Sequence, residues 1–184
     1  MFRLKFITAI ERFCRNLSLA AIVCSVSIVG TINDAKSAEL NVRLGEDFTT
    51  LDPAFWQSGA DYTMINVLFP KLIEFKSGSD WEYELQAAES IKQVDELTIK
   101  FKLKPGLMWT GNYGEVTTED VKYSYERYID PELNSPIIGD WLALKEVEIV
   151  DKYSGIIHLK EPFAPIWWST LPYTSGAIVS KKAT

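Results

Sequence analysis

The sequence predicts a mixed α/β chain, α/β or α+β in class, with strands and helices interleaved over residues 38–184. Three observations carry that prediction. Residues 91–103 and 146–159 alternate apolar and polar side chains with a period of two around a short turn, the pattern of half-buried hairpins. Residues 61–69 and 117–130 instead place apolar side chains at helical spacing. The segments between them are punctuated by Gly, Pro and Asp. The resulting order of strand, helix, hairpin, helix, hairpin, crossover and strand fits neither a sandwich nor a helical bundle.

The leader comes first. Arg3, Lys5, Arg12 and Arg15 face a single acid, Glu11, and the uncharged run "LSLAAIVCSVSIVGTI" follows at 17–32. A basic start, an apolar middle and a small-residue exit predict a secretory signal peptide over 1–37. Ala35 and Ser37 would stand three residues and one residue before a cut at Ala38. A retained anchor is the alternative, but the run is shorter than the ~20 apolar residues a bilayer crossing needs. Cys24 follows Ile22 and Val23 rather than a small residue, which argues against a lipidated cysteine. Both cysteines, Cys14 and Cys24, fall in this leader, so 38–184 has no thiol for a disulfide or a cysteine metal site.

Removing the leader leaves 147 of 184 residues, enough for one ordinary hydrophobic core. Subtracting the leader's five basic and two acidic residues from the chain's 19 and 25 gives a net charge of −9. An acidic surface without a basic stripe disfavours nucleic acid as a partner.

Leu40, Val42 and Leu44 alternate with polar residues and predict a first strand within 39–47. "TTLDPAFWQSGAD" reads as a loop, and a helix is expected from about 61 to 69, stopped by Pro70. Residues 76–90 are polar and turn-rich. Ile91 and Val94 then begin a hairpin whose second strand sets Leu97, Ile99, Phe101 and Leu103 on one face and Lys100, Lys102 and Lys104 on the other. Thr117 with Asp120 has capping-box spacing, and Val121, Tyr125 and Tyr128 share the face of the helix it starts. Val147, Ile149, Ile157 and Leu159 make a second hairpin around Gly155. "EPFAPIWWSTLPY" predicts an irregular or short helical crossover, and "GAIVSKKAT" the start of another strand.

For chemistry, the residues offer little. His158 lies between Ile157 and Leu159 on a predicted strand and points to the wetter face, with no partner to make it a base. There is no Gly-x-Ser-x-Gly elbow, no dinucleotide fingerprint and no P-loop, and no catalytic residue, metal ligand or cofactor is assigned. Glu119 and Asp120 could serve a glycosidase, but acids at a helix start are explained by the free amides there. The tryptophans and tyrosines read first as core. Trp56 is the exception, in a polar loop with Gln57, Ser58 and Gly59, where backbone can meet a ligand. The residues alone leave three readings open: a binding module, a secreted carbohydrate-active hydrolase using Asp and Glu, and a structural or adaptor domain.

The blocks "LDPAF", "AAESIKQVDELTIKFKLKPGLMW", "EVTTEDVKYSYERYIDP", "VEIVDKYSGIIHLKEPFAPIWW" and "GAIVSKKA" occur in that order. Together they resemble the amino-terminal part of bacterial extracellular solute-binding proteins of the oligopeptide, dipeptide and nickel class, the capture components of ABC importers. The chain departs from the family pattern where Tyr113-Gly114 replaces an Asp-Gly turn and Glu115 leads straight to Val116 without a proline. The resemblance implies the amino-terminal part of a two-lobed periplasmic binding fold, with the second lobe absent. Residues 38–60 would supply the first strand and ligand-side loop of lobe one, 61–170 a small subdomain with hairpins and capped helix, and 171–184 a truncated return strand. It implies a non-enzymatic, monomeric periplasmic protein that holds a peptide or similar small solute and docks on permease subunits. Trp56, Gln57, Ser58 and Gly59 would be its ligand contacts, and the hairpins and Thr117-capped helix its scaffold.

Overall fold

The computed structural model describes residues 41–184; the predicted signal peptide and both cysteines lie outside them. Residues 44–184 form one compact unit. It contains α1 (Gly59–Leu68), β1 (Ile73–Phe75), β2 (Tyr83–Leu85), β3 (Ala88–Asp95), β4 (Thr98–Leu103), α2 (Thr118–Glu126), β5 (Leu144–Ile149) and β6 (Ser154–Leu159), joined by short 3-10 turns. The class is mixed α/β. No described helix is long and apolar enough to cross a membrane.

Four strands make one antiparallel sheet in the order β3-β4-β6-β5, so the two predicted hairpins lie side by side. The lysine alternation of β4 does what its period requires: Ile99, Phe101 and Leu103 are buried and Lys100 and Lys102 exposed. In β6, Gly155, Ile157 and Leu159 point inward. Gly155 has to be glycine, because a β-carbon there would sit 2.5 Å from the Phe101 ring and 2.6 Å from the Thr118 methyl. His158 faces outward, 2.8 Å from Glu148.

The buried face of α2 covers this sheet. Val121, Tyr125 and Tyr128 are all buried, as their spacing predicts. Tyr125 stacks on Trp141 with centroids 4.2 Å apart, and Trp141 Nε1 donates to the Ser175 carbonyl at 2.9 Å. Tyr125 donates its hydroxyl to the Gly176 carbonyl at 3.2 Å, so the core reaches the turn Thr174–Gly176.

Four expectations are corrected. Asn41 to Leu44 form no strand, and Val42 is 68% exposed; alternation makes a strand only where a neighbour takes its hydrogen bonds, and no described residue pairs with these. Residues 76–90 hold β2, antiparallel to β1, where only turns were expected. The segment 176–184 makes a single bridge, Lys71 to Ala177, and then turns, although Ala177, Ile178 and Val179 are buried. In β5, Val147 is buried but Ile149, on the same face at the strand's last position and opposite Gly155, is exposed, so Ile149 does not join the core as its alternation suggested.

Candidate functional site

The loop before α1 is built on two aspartates. Asp52, of the Leu-Asp-Pro stretch, accepts the Ala54 N–H at 2.9 Å and so caps the turn Pro53–Phe55. Its two oxygens also take Arg127 Nη1 at 3.0 Å and Nη2 at 2.7 Å, a fork that pins the loop to the end of α2. Ser135 Oγ donates to the Ala54 carbonyl at 2.6 Å from the other side.

Asp61 does the rest. It is fully buried at the first turn of α1, in a capping box with Ser58, whose Oγ accepts the Asp61 N–H at 3.0 Å. Its carboxylate receives five donors: the Thr49 N–H and hydroxyl, and the N–H groups of Thr50, Gln57 and Ser58, at 2.6–3.2 Å. Burial pushes its pKa up, but the amides of Thr49, Gln57 and Thr50 outweigh this and hold the group well below the usual carboxylate range. This knot starts α1 at Gly59, two residues before the expected 61.

The four predicted contacts therefore have distinct surroundings. Gln57 and Ser58 have their amides engaged by Asp61, so those N–H groups do not face a ligand. Gly59 opens the helix and is exposed. Trp56 is half-buried and makes edge contacts with Tyr62 (6.3 Å) and Tyr173 (6.1 Å), whose own rings lie 4.9 Å apart. Its Nε1 is buried and, among the described residues, has no acceptor. A buried donor without a partner is uncommon and calls for a reason. Burial, with Tyr173 beside it, raises the Tyr62 pKa, so the Tyr62 phenol is a neutral donor at ordinary pH.

The chain thus brings together one predicted residue, Trp56, and two the sequence reading left in the core or the crossover, Tyr62 and Tyr173. Asp61 was also missed. Its signal was there: Ser58-x-x-Asp61 repeats the spacing of Thr117-x-x-Asp120. The Glu119–Asp120 pair is scaffold. Asp120 accepts the Thr117 N–H, the Thr117 hydroxyl and the Lys181 N–H, and Glu119 is exposed beside Lys181. Among the described residues no group of three His, Cys, Asp or Glu side chains could hold a metal ion.

A sequence profile for bacterial extracellular solute-binding proteins, family 5, middle region, matches residues 82–184. No curated protein matches the chain. Solved structures do. The periplasmic binding protein MoaA of A. tumefaciens R10, in complex with mannopinic acid, superposes with a TM-score of 0.69 at 35% identity, covering 75% of this chain and 28% of its own. The ABC transporter-associated periplasmic binding protein DppA of Helicobacter pylori, in complex with the peptide STSA, gives 0.63 at 27% identity, over 74% and 30%. The oligopeptide-binding protein AppA of Bacillus subtilis, bound to a nonapeptide, gives 0.65 at 25%, over 72% and 25%. The chain thus spans between a quarter and a third of the length of these relatives.

Proposed function

This chain belongs to the bacterial extracellular solute-binding proteins of family 5, and from that premise we propose that it forms one wall of a solute-capture cleft feeding an ABC-type importer. Trp56, Gln57, Ser58 and Gly59 lie on the ligand side, with Tyr62 and Tyr173 completing the aromatic surface. The observation that carries this is the Trp56 indole N–H, buried against two rings and unpartnered. A solute carbonyl or hydroxyl supplies the missing acceptor. The solute is a peptide or a similar small molecule, in keeping with the mannopinic acid and peptides bound by the similar proteins.

The mechanism is capture without chemistry. The solute stabilises a closed form only by contacts it makes there and not in the open form. The closed protein then docks on permease subunits, and ATP is hydrolysed elsewhere. On this reading the protein works as a monomer in the periplasm, after export by the leader over 1–37. Residues 38–60 supply the ligand-side loop, 61–170 the subdomain that braces it, and 171–184 the return toward lobe one. The match to 28% of the MoaA chain supports a cleft whose other walls lie beyond the residues described.

The six tryptophan indole N–H signals make the test direct. In a 1H–15N spectrum of the full chain, the Trp56 signal, assigned by its loss in Trp56→Phe, moves on addition of tri-alanine or gluconate while those of Trp81 and Trp141 stay. Affinity is no tighter than about millimolar, because a single wall leaves most of a solute's surface in water. A Trp56 signal indifferent to both solutes, or micromolar binding by this chain alone, overturns the reading.

A further inference from the structure

We infer that Lys71 biases this surface toward anionic solutes; the inference rests on the capture reading and names the class of molecule captured. Lys71 follows α1 and is 4% exposed. Its backbone is fixed on both sides, by the bridge to Ala177 and by its N–H on Gln86 Oε1. Among the described residues its ammonium has one acceptor for three donors, Asn66 Oδ1 at 2.6 Å. Among the described residues no carboxylate lies within ion-pair distance of it. Glu74, the acid whose charge it feels most, is held instead by Gln86 Nε2 at 2.8 Å. A buried cation with no counter-charge is costly, and burial accordingly lowers the Lys71 pKa, against the pull of Glu74.

The position of this ammonium gives it a use. The amide of Asn66 that holds it donates at its other end to the Tyr62 carbonyl at 2.7 Å and to Thr174 Oγ1 at 3.1 Å. Tyr62, and Tyr173 next to Thr174, carry the two rings that flank the Trp56 indole. Asn66 therefore links the unpaired charge to the main chain of Tyr62 and to the sequence neighbour of Tyr173, the residues whose rings flank Trp56. Asn66 is itself only half-buried and lines a groove of about 350 Å³ together with Phe69, Pro70 and Gln86, so the cover over the ammonium is thin. A carboxylate or sulfonate on the solute supplies both the absent charge and the absent acceptors. A purely structural lysine, whose task is to fix the Asn66 amide, would leave solute charge irrelevant.

Gluconate and glucitol separate these alternatives, because they share a carbon chain and differ in the carboxylate. Titrated into the full chain and followed by NMR, gluconate binds more tightly than glucitol and raises the Lys71 ammonium pKa, read from its side-chain CH2 signals. Lys71→Met weakens gluconate about tenfold and leaves glucitol unchanged, the effect of losing one charge-assisted contact. Asn66→Asp, which places a carboxylate on the ammonium and keeps the lysine, removes the preference for gluconate and serves if the methionine variant does not fold. Equal affinity of the wild-type chain for the two solutes, or gluconate affinity unaltered in either variant, overturns the inference. If the Trp56 indole still moves with both solutes in that case, the capture reading survives without it. If neither solute moves Trp56 or Lys71, the inference falls, and the capture reading falls with it only if tri-alanine also leaves Trp56 unmoved.

Discussion

Two helix starts in this molecule use the same four-residue code and do different things with it. Thr117-x-x-Asp120 opens α2 and Ser58-x-x-Asp61 opens α1, each with a capping box. At α2 the aspartate gathers parts of the scaffold. It takes the Thr117 N–H and hydroxyl, the Lys181 N–H at 2.9 Å and, at a longer 3.4 Å, the Trp109 indole. At α1 the aspartate folds a loop back on itself through five donors, and the indole beside it is left unmatched. The two starts share the motif and differ in what it closes: a junction between segments at α2, a single loop carrying Trp56 at α1.

The largest expected effect tests whether the α1 knot is the more demanding of the two. Asp61→Ala strands five donors and Asp120→Ala four, and Asp61 is the more deeply buried. Asp61→Ala therefore gives the largest fall in melting temperature of any substitution considered, with Asp120→Ala second, both by thermal unfolding followed by circular dichroism. Asp61→Asn falls between wild type and Asp61→Ala, since an amide keeps one acceptor oxygen. An Asp120→Ala variant less stable than Asp61→Ala would reverse the comparison.

A smaller effect sharpens it. Ser58→Ala and Thr117→Ala each remove a capping hydroxyl and each costs about 1 kcal/mol. Their equal cost separates stability from site geometry. Ser58→Ala shifts the Trp56 indole signal because the loop it closes carries that ring, whereas Thr117→Ala leaves the signal in place. Equal shifts would mean that the two helix starts are mechanically coupled and that the loop is no separate unit.

How much of this could be read in the sequence follows the same division. The sheet hairpins and the face of α2 were legible because each has one buried and one wet side, which writes a period into the residues: Ile99, Phe101 and Leu103 inward, Lys100 and Lys102 outward. β2 was not, because Tyr83, Glu84 and Leu85 are exposed on both faces and carry no such record. Leu40, Val42 and Leu44 carried the period, and the described part of that segment has no neighbour to pair with. Trp56 was legible as an aromatic out of place in a polar loop. Tyr62, Tyr173 and Lys71 were not, since what distinguishes them is proximity across more than a hundred residues of chain in the case of Tyr62 and Tyr173. The Asp52–Arg127 fork, likewise, joins residues 75 apart in sequence.

The smallest effect concerns a half-buried counterpart to the two buried aspartates. Glu115 stands where the family pattern loses its proline. It accepts Lys152 Nζ at 2.6 Å, the Gly106 N–H, and the Tyr153 hydroxyl at 3.0 Å, tying the 106–115 loop to the turn between β5 and β6. Those contacts, Lys152 first, hold its pKa at about 2 against an ordinary 4.5. A carboxyl depressed on folding stabilises the native state fully above its unfolded value, and the contribution disappears as pH falls through the folded value. The Glu115 share is thus intact above pH 4.5 and is lost between 4.5 and about 2. Asp61 and Asp151 are depressed too, so acid still weakens a chain lacking Glu115. In melting temperatures measured from pH 6 to pH 2, Glu115→Gln starts slightly lower than wild type and declines less steeply below about pH 4.5, so that the curves converge. Curves that stay parallel would mean that the carboxylate contributes no net stability, as is common for exposed ion pairs. Acid sensitivity would then belong to the buried knot at α1 and to the Asp151 turn.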